Sequence, residues 1–253
     1  MAPRPAGPGS ARDAEPSTMT GEPSPVPFVG LTGGIGAGKS EALAALGRLG
    51  AATLSTDAVV HELYADPEVR DAVVDRWGPE VAPDGVVDRS AIARHAFATA
   101  EERQFLEGLL WPRVGQRMAQ WREAESTREP APRALVVEVP LLFESGLDRG
   151  YDATIAIVAD EEVRRERAAA RGHESVDERT ARQLSQEEKA ARATFAVANS
   201  GTIADLESRL SDVLAKLRRR ARRPRHGRGR RGAVAPPRPS AAVAGRCCAG
   251  ARC

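Results

Sequence analysis

Val29-Gly30-Leu31-Thr32-Gly33-Gly34-Ile35-Gly36-Ala37-Gly38-Lys39-Ser40 satisfies the pattern G-x-x-x-x-G-K-[ST], with Gly33, Gly38, Lys39 and Ser40 in the fixed places. A triphosphate needs donors at close range, so side chains must be absent where the backbone wraps it; four glycines in six residues meet that need. The loop residues Gly34, Ile35, Gly36, Ala37, Gly38, Lys39 and Ser40 are therefore candidate triphosphate contacts. Lys39 adds a point charge for the β- and γ-phosphates, and the Ser40 hydroxyl can ligate Mg²⁺. A chance glycine-rich turn is excluded by context. Phe28–Leu31 reads as a short buried strand, and Glu41–Leu46 as a helix whose N-terminus faces the anion.

Working outward, Phe28–Leu31, Ala52–Ser55, Ala134–Val139 and Thr154–Val158 are short apolar runs separated by helical patterns. This alternation predicts an α/β fold in which a parallel sheet is flanked by helices. Between the second and third strands lies an insertion over residues 58–130, with helical periodicity in His61–Tyr64, Glu68–Trp77, Ser90–Phe97 and Glu101–Glu123. A helical insertion after a strand's carboxyl end stands over the sheet's ligand crevice, the natural place for a second substrate.

Asp57 closes the second strand, whose carboxyl end emerges on the same edge as Lys39 when the strands run parallel. A carboxylate facing the γ-phosphate can take the proton of an attacking hydroxyl; equally, Asp57 can cap a helix beginning at Ala58. Glu138 ends a buried strand, the usual position of the carboxylate that orients Mg²⁺ beside a phosphate loop, or else a structural partner for Arg or backbone amides. Beyond the fourth strand, Arg167 and Arg171 lie at i, i+4 on one helix face. They suit either a lid region over residues 161–190 that closes on the triphosphate, or a solvated face paired with Glu161, Glu162 and Glu166.

At 253 residues with 42% hydrophobic content the chain can bury a sizeable core. Residues 1–26 are crowded with Pro, Gly, Ser and Ala and read as a disordered leader without the apolar stretch of a secretory signal. No stretch approaches the roughly 18 apolar residues of a membrane span. Residues 218–253 contain twelve arginines and none of the 35 acids, so the body is acidic although the whole chain carries +2. That tail reads as disordered. Its contact with polyanions would be sequence-blind, because no aromatic residue interleaves to stack bases, and no specific nucleic-acid recognition is expected. Cys247, Cys248 and Cys253 all lie there, which leaves the body without disulfides, as in a reducing cytoplasm. With only His226 nearby, they lack the paired spacing of a zinc site.

The phosphate loop GLTGGIGAGKS, the strand end STDAVVHEL, Gly85-Val86-Val87-Asp88-Arg89, Leu109-Leu110-Trp111-Pro112-Arg113, VEVPLLFESG, the Arg167/Arg171 helix, the segment Gln183–Lys189 and Asn199-Ser200-Gly201 resemble the dephospho-CoA kinase family in order and spacing, over about residues 27–216. The resemblance implies the P-loop kinase fold, a helical substrate-binding insertion and a helical lid. It implies transfer of the ATP γ-phosphoryl group to the ribose 3′-hydroxyl of dephospho-CoA, the last step of coenzyme A synthesis. On that likeness Glu41 joins the ATP contacts, Asp57 binds and activates the hydroxyl, and His61 and Arg89 hold dephospho-CoA. Arg167 and Arg171 are lid residues, and Asn199 borders the adenine site. Ser55 and Trp111 stand where the family usually has an acid and a histidine.

The alternative is another P-loop small-molecule kinase or a nucleoside monophosphate kinase. An insertion of about seventy residues is more than shikimate or gluconate requires. A GTPase-type switch is disfavoured by the lack of an Asn-Lys-x-Asp run.

Overall fold

The computed structural model describes residues 26–170 and 183–221. The leader up to residue 25, Arg171 and the tail from residue 222, with its cysteines, lie outside the described residues. Five parallel strands form one sheet in the order β2-β3-β1-β4-β5: β1 (Phe28–Gly33), β2 (Ala52–Ser55), β3 (Leu135–Glu138), β4 (Ala153–Val158) and β5 (Phe195–Ala198). Four of them match the apolar runs. The fifth escapes the pattern because Phe-Ala-Val-Ala is short and lies at the sheet's edge, where only Val197 is buried.

Parallel strands covered on both faces read as continuous apolar runs, and β1 and β3 are buried at every position. Alternate residues serve opposite layers. Val29, Leu31, Val136, Ile155 and Ile157 pack beneath α1 (Lys39–Arg48) and the C-terminal helix Ile203–Ala221. Phe28, Leu135 and Val137 face the other way, toward Leu142, Met118, Trp121 and Tyr151.

The insertion contains α2 (Thr56–Leu63), α3 (Pro67–Trp77), α4 (Arg89–Ala96) and α5 (Ala100–Ser126). Asp66, Asp88 and Thr99 cap the last three by accepting from Glu68, Ser90 and Glu102 N–H groups. Val73, Trp77, Val81, Ala91, Ile92 and Ala96 make a core of their own within it. Val59, Leu63, Val69 and Leu110 form a second cluster, against which Leu54 of β2 packs.

After β4 come α6 (Glu161–Ala169), α7 (Gln186–Arg192), then β5 and α8 (Ile203–Ala221). The basic tail expected from residue 218 begins later: Arg218, Arg219 and Arg220 form the last turn of α8. Val26 likewise belongs to the body, packed with the Phe28 cluster.

Leu210 of α8 is fully buried against the α1 side of the sheet. Leu210→Ala should cost about 2–5 kcal/mol through lost transfer energy and the cavity left behind. Denaturant unfolding of both forms measures it. A loss below about 1 kcal/mol would mean that α8 does not complete the core.

Candidate active site

The register brings the site residues to one edge. Glu138 pairs across the sheet with Leu31 on one side and with Ser55 on the other. The carboxyl ends of β1, β2 and β3 therefore lie level, and the phosphate loop rises from β1 between β3 and β4. In open parallel sheets the ligand crevice opens where neighbouring connections leave in opposite directions; here that point is the β1/β3 boundary.

Gly36 and Gly38 have φ of 75° and 86°, a region that favours glycine. A Cβ on Gly36 would strike the Arg164 carbonyl oxygen, and one on Gly38 would strike the Asn199 side-chain amide. Both glycines are thus required by backbone shape and by close approach. Three loop carbonyls are held by side chains. Lys39 Nζ donates to Gly34 O at 3.2 Å, Arg164 Nε to Ile35 O at 3.0 Å, and Asn199 Nδ2 to Ala37 O at 2.8 Å. Arg167 donates to Asn199 O at 2.9 Å, and its guanidinium lies beside Gly38.

Asp57 is not an N-cap. Helix α2 starts two residues earlier than expected, at Thr56 rather than Ala58, with Ser55 as its N-cap and Asp57 exposed in the first turn. The Thr56 hydroxyl donates to the Glu138 carbonyl at 2.9 Å, which ties this turn to the end of β3. Glu138 is 5% exposed. Burial raises its carboxyl above the ordinary carboxylate value; the charge of Lys39 pulls it down, the charge of Asp57 pushes it up, and a Ser55 hydrogen bond lowers it. Lys39, Asp57 and Glu138 therefore share one electrostatic neighbourhood.

His61 follows Asp57 by one helical turn and is exposed. Arg89, at the start of α4, lies near Tyr64, whose hydroxyl burial makes harder to ionise and Arg89 makes easier. Helix α2 thus leads from Asp57 at the crevice to His61 and then to the Tyr64–Arg89 pair in the insertion. Ser40 is exposed in the first turn of α1. Glu41 bonds at 2.8 Å to Arg48, two turns further along α1.

Arg164 and Lys189 stand out in the structure beyond the residues that sequence reasoning assigned to the site. Lys189 of α7 is fully buried; its Nζ lies 3.0 Å from Glu144 Oε1 and donates to Pro140 O at 2.9 Å. Thr32 donates to that same carbonyl at 3.2 Å, and the Leu184 N–H to Glu144 at 2.9 Å. This network joins α7 to the loop that follows Glu138. A lysine four residues into a charged segment carries no mark of burial in the sequence.

A cavity of about 340 Å³ lined by Phe28, Met118, Arg122 and Ser126 lies at the amino end of β1, on the opposite edge from Lys39. It is not the phosphate site. Among the described residues no helix is long and apolar enough to cross a membrane, and no three His, Cys, Asp or Glu side chains cluster as metal ligands.

Sheet order, phosphate loop and the carboxylates beside it define a P-loop kinase. The dephospho-CoA kinase family profile matches residues 27–205. The dephospho-CoA kinase of Deinococcus radiodurans is 39% identical over 192 residues, covering 75% of this chain and 91% of the relative. That of Symbiobacterium thermophilum is 40% identical over 181 residues, or 70% and 75% of the two chains. The crystal structure of TT1252 from Thermus thermophilus superimposes with a TM-score of 0.62 at 35% identity, covering 76% of this chain and 98% of that one. Dephospho-CoA kinase from Campylobacter jejuni, at 22% identity and a TM-score of 0.56 over 75% and 96% of the chains, supports the fold. The chain belongs to the dephospho-CoA kinase family.

The raised Glu138 value sets a pH dependence. A carboxyl that ionises less readily when folded adds stability below the ordinary carboxylate range, and this is lost as pH rises through its folded value. In metal-free, nucleotide-free buffer Glu138→Gln should melt at or above the parent at pH 7, with the advantage shrinking toward pH 4. A mutant that melts well below the parent at pH 7 would show that the charged carboxylate stabilises the fold.

Proposed function

We propose that this enzyme transfers the γ-phosphoryl group of ATP to the ribose 3′-hydroxyl of dephospho-CoA with Asp57 as general base. The observation that carries this reading is the convergence of Asp57, Lys39 and Glu138 at the carboxyl edge of the sheet, with Asp57 free of the capping role that would otherwise explain it. The Asp57 carboxylate accepts the hydroxyl proton as that oxygen attacks the γ-phosphorus. The bond from the γ-phosphorus to the β,γ-bridging oxygen breaks, and its electron pair leaves with ADP. Lys39 and Arg167 stabilise the charge on the transferring group.

The Ser40 hydroxyl and the Glu138 carboxylate are hard oxygen donors at the loop, a set that fits Mg²⁺ with phosphate and water completing its shell. When bound, Mg²⁺ would neutralise phosphate charge. His61 and Arg89 lie along α2 and α4 toward the insertion, which suits contacts to the remainder of dephospho-CoA. Arg171, outside the described residues, is assigned to the triphosphate by its i, i+4 spacing from Arg167 and by likeness to the family. The cysteine-free body suits a cytoplasmic setting, and any contact of the basic tail with polyanions would weaken steeply with salt.

Lys39→Ala should lose about 3–4 kcal/mol of transition-state stabilisation while the protein stays folded. The check is ADP release coupled to dephospho-CoA addition; activity within a few-fold of the parent would overturn the role given to Lys39.

Asp57→Asn keeps the side chain's shape and removes the base. Its kcat should fall about 10²- to 10⁴-fold with little change in ATP affinity. Single-turnover measurement on both forms decides it, and an unchanged chemical step would transfer the base to another group.

A further inference from the structure

Arg164 lies outside the pair of arginines that helical spacing singles out, yet it makes the closest engagement of α6 with the phosphate loop. Its Nε–H donates to the Ile35 carbonyl at 3.0 Å. Its own carbonyl oxygen occupies the space that a side chain on Gly36 would need, and its guanidinium lies 3.2 Å from where a Cβ on Gly34 would stand. One residue therefore covers three successive loop positions from outside.

The consequence follows from peptide geometry. In a planar trans peptide the C=O of one residue and the N–H of the next point in opposite directions. Holding Ile35 O on the α6 side turns the Gly36 N–H away from α6. Asn199 does the same one peptide pair later: its bond to Ala37 O directs the Gly38 N–H away from β5. With φ of 75° and 86°, Gly36 and Gly38 have the freedom to rotate these peptides, so something outside the loop must fix them. Anion affinity in such a concave loop depends on its N–H groups converging.

We propose that Arg164 is a positioning residue for nucleotide binding: by holding the Ile35 carbonyl it presets the Ile35–Gly36 peptide with its N–H toward the phosphates. The proposal rests on the nucleotide assignment of the loop and not on the identity of the acceptor. Arg164 is half-buried, so its replacement leaves no buried charge behind.

The test compares Arg164→Met, which keeps the apolar stem and removes the donors, with Arg164→Lys, which retains a charged donor. ATP binding is measured by calorimetry without acceptor, and KM for ATP and for dephospho-CoA is measured separately. Arg164→Met should weaken ATP binding and raise KM for ATP about tenfold or more, the usual effect of losing a charged hydrogen bond. KM for dephospho-CoA and the melting temperature should stay at parental values. Arg164→Lys should recover ATP affinity to within a few-fold. Unchanged ATP affinity in Arg164→Met overturns the proposal, as does a loss of affinity that lysine does not restore or that accompanies a lowered melting temperature. If the parent binds ATP but does not turn over dephospho-CoA, the acceptor assignment fails while the calorimetric comparison still tests Arg164.

Discussion

The rest of the structure depends on the need to hold a glycine-rich backbone in one shape without side chains of its own. Glycine at Gly36 and Gly38 admits the required torsions and leaves the peptides free to swing. The neighbouring elements supply the restraint. Strand β4 delivers α6, whose Arg164 grips Ile35 O, and β5 delivers Asn199, which grips Ala37 O. The parallel pairing of β1 with β4, and of β4 with β5, sets these groups at the right height. The Asn199 N–H, bonded to Val158 O at 2.7 Å, ties the end of β5 to the end of β4. An edge strand of four residues is thus essential to the loop at the centre.

The acidic half of the site is built against a cost. Glu138 is taken out of water beside Asp57, and both burial and that neighbour oppose its charge. Lys39 and Ser55 offset part of this. Burial at a strand end fixes the direction in which this carboxylate points. The loop that follows is secured by the Lys189–Glu144 pair, which is shielded from solvent on the lysine side. Breaking such a pair by removing one partner strands the other charge, which makes the connection between α7 and the Glu138 loop strict.

Much of this was legible in the residues. Long apolar runs marked the interior strands, because strands buried on both faces carry few polar residues. The phosphate loop was legible because its chemistry demands particular residue types at fixed spacing. Strand β5 lacked that mark, since Ala196 and Ala198 face solvent at an edge. The capping reading of Asp57 placed the start of α2 two residues too late; the helix begins at Thr56, whose hydroxyl bonds to Glu138 O. Arg164 and Lys189 could not be distinguished from other charges in charged segments. Their importance comes from contacts 129 and 49 residues away in sequence, which no local pattern encodes.

The insertion's inner core of Val73, Trp77, Val81, Ala91, Ile92 and Ala96 draws nothing from the five strands, and Trp77 is fixed through its indole N–H to Glu102 within the insertion. Cohesion of that kind separates two evolutionary problems. Residues within the insertion can drift while the sheet edge keeps its geometry, because packing errors in one core are not passed directly to the other. The joins are apolar: Leu54 of β2 meets Val59 and Leu63, and Met118 and Trp121 of α5 pack on the Phe28 cluster of the sheet. Substitutions there would alter the angle at which the insertion stands against the sheet edge, so selection should be most conservative at these apolar seams, although none of their side chains carries a charge.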